Sequence, residues 1–198
     1  MMREVELKSV VEDIDECRRR IEAAGGQMTF EGRLEDRRYD SADRRLTDAD
    51  QMLRVRSFND AQGERAALDW KGPTRHEHGY KVRDEISAAA DSASALAAIL
   101  ERLGYTVMLE IDRDVVQYAL GDATIRFERY PCMDVLVEVE GSLDGIERAI
   151  EALGIPRAHF TADRLATFMA RFESRTGRRA IVSARQHSAA QGGEAADA

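Results

Sequence analysis

The chain has 198 residues, 43% hydrophobic and 33% charged, enough for one domain with a real core and an unusual ionic load. Its net charge of −8 argues against general affinity for nucleic acid, whose phosphates need a basic footprint, and no apolar run approaches a membrane span. No export signal precedes the first strand-like run, and Cys17 and Cys132 stand in no metal-type or redox-type spacing, so two free thiols in a reducing cytoplasm are expected.

In chain order, residues 2–10 alternate charged and apolar, the period of a strand with two unlike faces: Glu4, Glu6 and Lys8 on one, Val5 and Leu7 on the other. Residues 13–24 have helical spacing, with Ile14, Cys17 and Ile21 on one side and Gly25-Gly26 as the stop. Strand-like runs follow at 38–40, 51–58, 64–71 and 80–88, separated by Asn59-Asp60, Gly63 and Gly72-Pro73. A second helix is predicted over 92–103, capped by Asp91 or Ser92 and ended by Gly104. Strands at 107–120, 124–130 and 135–140 and helices at 143–153 and 161–175 complete the pattern. From Gly177 the periodicity is lost and the chain ends QGGEAADA, so one domain over residues 1–176 and a disordered tail over 177–198 are expected. Eight strands with helices inserted between strand groups predict an α+β protein with a largely antiparallel sheet.

The opening alternation recurs. Arg54 and Arg56 share one strand face, as do Lys81, Arg83 and Glu85, Arg126 and Glu128, and Glu138 and Glu140. Lys71 ends a strand, and Arg113 sits between Ile111 and Val115. For any single strand a solvated face is the plain reading. Taken together, at least five strands carry ionic faces with little neutral dilution, opposite Val, Leu, Ile and Phe faces suited to packing under helices. A sheet curled into a barrel, ionic within and apolar beneath outer helices, accommodates both. Charges of both signs in one lumen are costly to desolvate unless they pair or a ligand completes the pairing. Converging Arg and Lys suit a polyanion such as a triphosphate, and a hard divalent cation would reconcile that anion with the glutamates. His76-Glu77-His78 reads as a solvated turn rather than a metal site, and Trp70 as packing under a helix.

These residues resemble the CYTH family of triphosphate tunnel metalloenzymes, nearest its class IV adenylate cyclase-like members. The resemblance covers about residues 3–172 and rests on Glu4-x-Glu6-x-Lys8, LRVR (53–56), DWKGP (69–73), KVRDE (81–85) and LVEVEG (136–141), in family order. It implies an eight-stranded antiparallel tunnel with helices outside, and Mg²⁺ or Mn²⁺ as cofactor. It places Glu4, Glu6, Glu128, Glu138 and Glu140 as metal ligands. Lys8, Arg54, Arg56, Lys71, Lys81, Arg83, Arg113 and Arg126 would hold the triphosphate, and Lys8, Lys71 and Glu85 are the candidate catalytic residues. Glu128 stands where the family often has aspartate. Arg113-x-Val115 lacks the second cation of a family pair, with Arg126 as the candidate replacement, and no Ser-Tyr motif occurs around 161–163. The activity implied is conversion of ATP to cyclic AMP and pyrophosphate; triphosphate hydrolysis and non-catalytic binding are the alternatives. The expected partners are a triphosphate substrate and a second copy in a homodimer, with neither nucleic acid nor membrane.

Overall fold

A computed structural model describes residues 2–186. The alternating runs build β1 (Met2–Val10), β2 (Gln27–Ser41), β3 (Met52–Asp60), β4 (Gly63–Lys71), β5 (Arg75–Glu77), β6 (Tyr80–Ala90), β7 (Tyr105–Leu120), β8 (Ala123–Arg129) and β9 (Leu136–Glu140). The helices are α1 (Ile14–Ala23), α2 (Arg45–Asp48), α3 (Ala93–Arg102), α4 (Leu143–Leu153) and α5 (Leu165–Thr176). Eight strands hydrogen-bond in the order β1-β9-β8-β7-β2-β3-β4-β6, and β6 returns to β1, closing an antiparallel barrel; β5 extends β6. The expected tunnel architecture is therefore the one observed.

Helix ends follow their local chemistry. The side chain of Asp13 accepts from the N–H of Glu16 at 2.9 Å, Ser92 from Ala95 at 3.1 Å, and Ser142 from Gly145 at 3.0 Å. The outward faces of the strands make the core. Val5, Leu7, Val82, Ile125, Phe127, Val137 and Val139 pack against Cys17 and Ile21 of α1 and Ile146, Ala149, Ile150 and Leu153 of α4. Each such side chain contributes roughly 1.5–3 kcal/mol on burial, which leaves the inward faces free to be ionic. Tyr39, Val55 and Leu68 pack against α3.

Several expectations are corrected. The strand predicted at 38–40 runs for 15 residues from Gln27. Its outer face carries charge too: Arg33 reaches Asp114 at 3.5 Å, and Arg37 reaches Asp112 at 2.5 Å and Glu110 at 3.7 Å across to β7. With ions on both faces, β2 shows no apolar alternation to reveal it. Nor does packing end at residue 176. Ala180, Val182 and Ser183 are buried; Ile181 bridges Cys132, and the Val182 carbonyl accepts from Asp112 N–H at 2.7 Å. This segment lies along β7 beyond Arg129, where β8 ends. The rest of the expected tail, 187–198, lies outside the described residues. Arg75–Glu77, expected in a turn, pairs as β5, and the Trp70 indole N–H donates to Gln51 Oε1 at 3.4 Å. Among the described residues no helix is long and apolar enough to cross a membrane.

Candidate active site

The barrel encloses a cavity of about 90 Å³ lined by eight basic and seven acidic side chains. Only Met52, Ile111, Tyr130 and Leu165 among its lining residues are uncharged. Lys8, Arg54, Arg56, Lys71, Lys81, Arg113 and Arg126 all reach it, as do Glu4, Glu6, Glu85, Glu128, Glu138 and Glu140. The alternation read at residues 2–10 thus faces an enclosed lumen, and Glu4 and Glu6 are each only 4% exposed.

Most of these charges are paired. Lys8 and Arg126 both reach Glu138, Arg126 at 2.6 Å, and Lys81 meets Glu6. Arg113 donates to Glu128 at 2.6 Å and to Asp36 at 3.1 Å; Arg56 donates to Asp36 at 2.9 Å. Arg54 donates to Asp69 at 2.7 Å and to Asp36 at 3.3 Å. Burial alone would push Glu128 up, but Arg113 and Lys8 outweigh it and bring its pKa down to about 2. Asp36 is likewise held well below the usual carboxylate range, the guanidiniums of Arg113, Arg56 and Arg54 overcoming its burial. Lys8 moves down from the ordinary lysine value because it is enclosed.

One acidic group is built differently. Carboxylate oxygens of Glu4, Glu85 and Glu140 lie within 4.8 Å of one another. Lys71 bonds Glu4 and approaches Glu85 at 3.4 Å, yet Glu4 Oε2 is buried without a hydrogen-bond partner. Burial raises the pKa of Glu140, and the charges of Glu4 and Glu6 add to the rise against the pull of Arg126. Converging hard oxygen donors with an orphaned oxygen fit a divalent cation. Of the expected metal ligands, the structure brings Glu4 and Glu140 into this group and adds Glu85. Glu6, Glu128 and Glu138 stand outside it, paired with Lys81, Arg113 and Arg126 respectively.

Arg83 also departs from expectation. It does not line the cavity; its guanidinium donates to the carbonyls of Gly72 at 2.6 Å and Asp50 at 2.8 Å, fixing the Gly72-Pro73 turn. Two cavity-lining groups, Asp36 and Arg38, escaped the sequence reading, as did Asp69, which accepts from Arg54. Arg38 lies in the predicted 38–40 strand with no alternating partner to mark it, and Asp36 lies on the part of β2 that carries no alternating signal. Asp69 had a signal in the DWKGP motif, two residues before Lys71 on the same face. Val115 occupies the same face of β7 as Ile111 and Arg113 but packs with Phe30, Leu34 and partly buried Phe58. Successive strands β7, β2 and β3 thus change from ionic to apolar in one direction, through Arg113 to Val115, Asp36 to Leu34, and Arg56 to Phe58. The Arg65 guanidinium lies 5.7 Å from the centroids of both Phe30 and Phe58.

The CYTH domain family model matches residues 2–144. The barrel is similar to a Vibrio parahaemolyticus protein named as a candidate adenylate cyclase, with TM-score 0.71, 19% identity, and coverage of 84% of this chain and 97% of that one. It is similar to a Pyrococcus horikoshii protein, with TM-score 0.67 and 22% identity over 85% and 98% of the two chains. It is similar to an adenylyl cyclase candidate from Hippeastrum described as having a dominant triphosphatase activity, with TM-score 0.59 and 16% identity over 86% and 95%. These identities speak to fold alone. The search of curated proteins returned no match. On its family match, the chain belongs to the CYTH domain family.

Proposed function

We propose that this chain is a divalent-metal-dependent enzyme acting on a triphosphate group held in the barrel lumen. One observation carries the reading: the Glu4–Glu85–Glu140 cluster shares an enclosed cavity with eight cationic side chains. The lining charges nearly balance, so a bare triphosphate would leave a large excess of negative charge in a poorly hydrated space. Bound at the three glutamates, Mg²⁺ or Mn²⁺ would supply neutralisation and polarisation of a phosphoryl oxygen. The residues of the chain do the positioning. Arg54, Arg56, Arg113 and Arg126 already donate to carboxylates, and phosphoryl oxygens can take the same donors in exchange. Lys8, Lys71 and Lys81 supply compact charges along the walls. Holding the phosphates in line with the attacking oxygen is most of what phosphoryl transfer asks of a protein.

Hydrolysis at the terminal phosphorus, releasing orthophosphate, is the reaction we favour. A water oxygen attacks the terminal phosphorus as its bridging P–O bond breaks, so beyond that water the reaction requires only a grip on the phosphates, and the lining is ionic apart from four residues. Cyclisation is the second reading: the ribose 3′-hydroxyl would attack the α-phosphorus and release pyrophosphate. It is favoured by the Lys71-Gly72-Pro73 element, whose turn Arg83 holds in place, and it further requires a grip on the nucleoside.

The test is incubation with inorganic triphosphate, ATP and thiamine triphosphate in Mg²⁺ or Mn²⁺. Orthophosphate release is expected; cyclic AMP with pyrophosphate would select cyclisation, and tight binding without turnover would select a sensor. Glu4→Ala is expected to abolish metal-dependent turnover with an unchanged circular dichroism spectrum, and undiminished turnover would defeat the metal assignment.

A further inference from the structure

Arg38 differs from every other cation lining the cavity. Lys8, Arg54, Arg56, Lys71, Lys81, Arg113 and Arg126 each lie within ion-pair distance of a carboxylate. Among the described residues Arg38 makes neither an ion pair nor a hydrogen bond, and its Nε is buried with no partner. The nearest charges across β2 and β3 do not help, because the register sets Arg38 directly opposite Arg54. Enclosure, with Arg54 alongside, lowers its pKa to about 10, which leaves it charged at neutral pH. A buried donor without an acceptor is costly, and here it belongs to a charged side chain that is otherwise partly open to the lumen. The adjacent Asp36 attracts it but does not bond it: that carboxylate accepts from Arg54, Arg56 and Arg113.

We propose that Arg38 is an anion-binding residue of the lumen that takes one phosphoryl group of a bound polyphosphate. The assignment rests on the tunnel reading and deepens it. The oxyanion it holds would be shared with Arg54, whose guanidinium lies 3.8 Å from Glu85. Arg38 and the carboxylate cluster therefore reach the same ligand from opposite sides of Arg54. A planar guanidinium favours a phosphoryl group bound through two oxygens, which a lysine at this position would hold less well.

The test is calorimetric titration of the full-length chain with imidotriphosphate, a non-hydrolysable inorganic triphosphate, in Mg²⁺, alongside thermal unfolding of the ligand-free protein. Arg38→Met is expected to weaken triphosphate binding at least about tenfold, the loss of a charge-assisted contact. It should also melt no lower than wild type, because no ion pair or hydrogen bond is lost and the orphaned Nε is removed. Arg38→Lys should recover part of the affinity. Binding by Arg38→Met equal to wild type would overturn the assignment, as would a variant that melts well below wild type and loses affinity only in proportion to unfolding. Wild-type protein that binds no triphosphate would overturn the tunnel reading itself, and this assignment with it.

Discussion

At Glu128 a carboxylate sits away from water between Arg113 Nε, 2.6 Å from one oxygen, and the Tyr130 hydroxyl, 2.8 Å from the other. Its pKa falls from 4.5 to about 2. The folded state therefore keeps it ionised where the unfolded chain would bind a proton. The stability it contributes is present in full above about pH 4.5 and is lost as the pH falls toward 2. Glu140, whose pKa is raised, acts with the opposite sign, so comparison with a variant isolates Glu128. Urea unfolding across pH 7 to 3 is expected to show stability falling below about pH 4.5. Glu128→Gln should lose roughly 3 kcal/mol at pH 7, since Arg113 is left half-paired, and should show a shallower acid slope. Equal slopes in the two proteins would contradict the coupling.

At the level of single elements, β2 shows how backbone spacing limits side-chain choice. A Cβ added to Gly32 would lie 2.2 Å from the Asn59 carbonyl oxygen and 3.1 Å from Asp60 Cα, both backbone atoms of β3. Neither can move without disturbing the β2–β3 ladder. Gly32→Ala is expected to cost about 1–3 kcal/mol in chemical denaturation; a variant as stable as wild type would show that the strands part easily here. The same strand explains why part of the site was hidden. Leu34, Asp36 and Arg38 face inward while Arg33, Glu35 and Arg37 face outward, so charge occurs on both sides. Periodicity reports a strand only when its faces differ, as they do in β1 and β9.

Over the whole molecule, the barrel is closed by parts far apart in sequence. Phe168 of α5 and Val182 pack with Ile111, Tyr130 and Leu136 at one side of the lumen, and Leu165 joins the cavity lining. The segment after α5 also satisfies β7, where Asp112 Oδ2 accepts from Ala184 N–H at 2.7 Å. Truncation after Thr176 removes the buried Val182 and these bonds. It is expected to lower the melting temperature by at least about 5 °C, and an unchanged melt would show that the segment adds nothing to packing.

The amino-acid sequence by itself determined the alternating ionic strands, the caps and the glycine stops, because these depend on neighbours within a few residues. From Glu4, Glu6, Arg54, Arg56, Glu138 and Glu140 the barrel and its charged interior are legible in the sequence. Only the tertiary structure decided which charges meet. Glu85 joins Glu4 and Glu140, Glu128 is taken by Arg113, Arg83 turns to backbone carbonyls, and Arg38 is left without a partner. The reason is physical. Alternation specifies which face a side chain occupies, whereas pairing depends on the stagger between strands around a closed barrel, which no local pattern encodes.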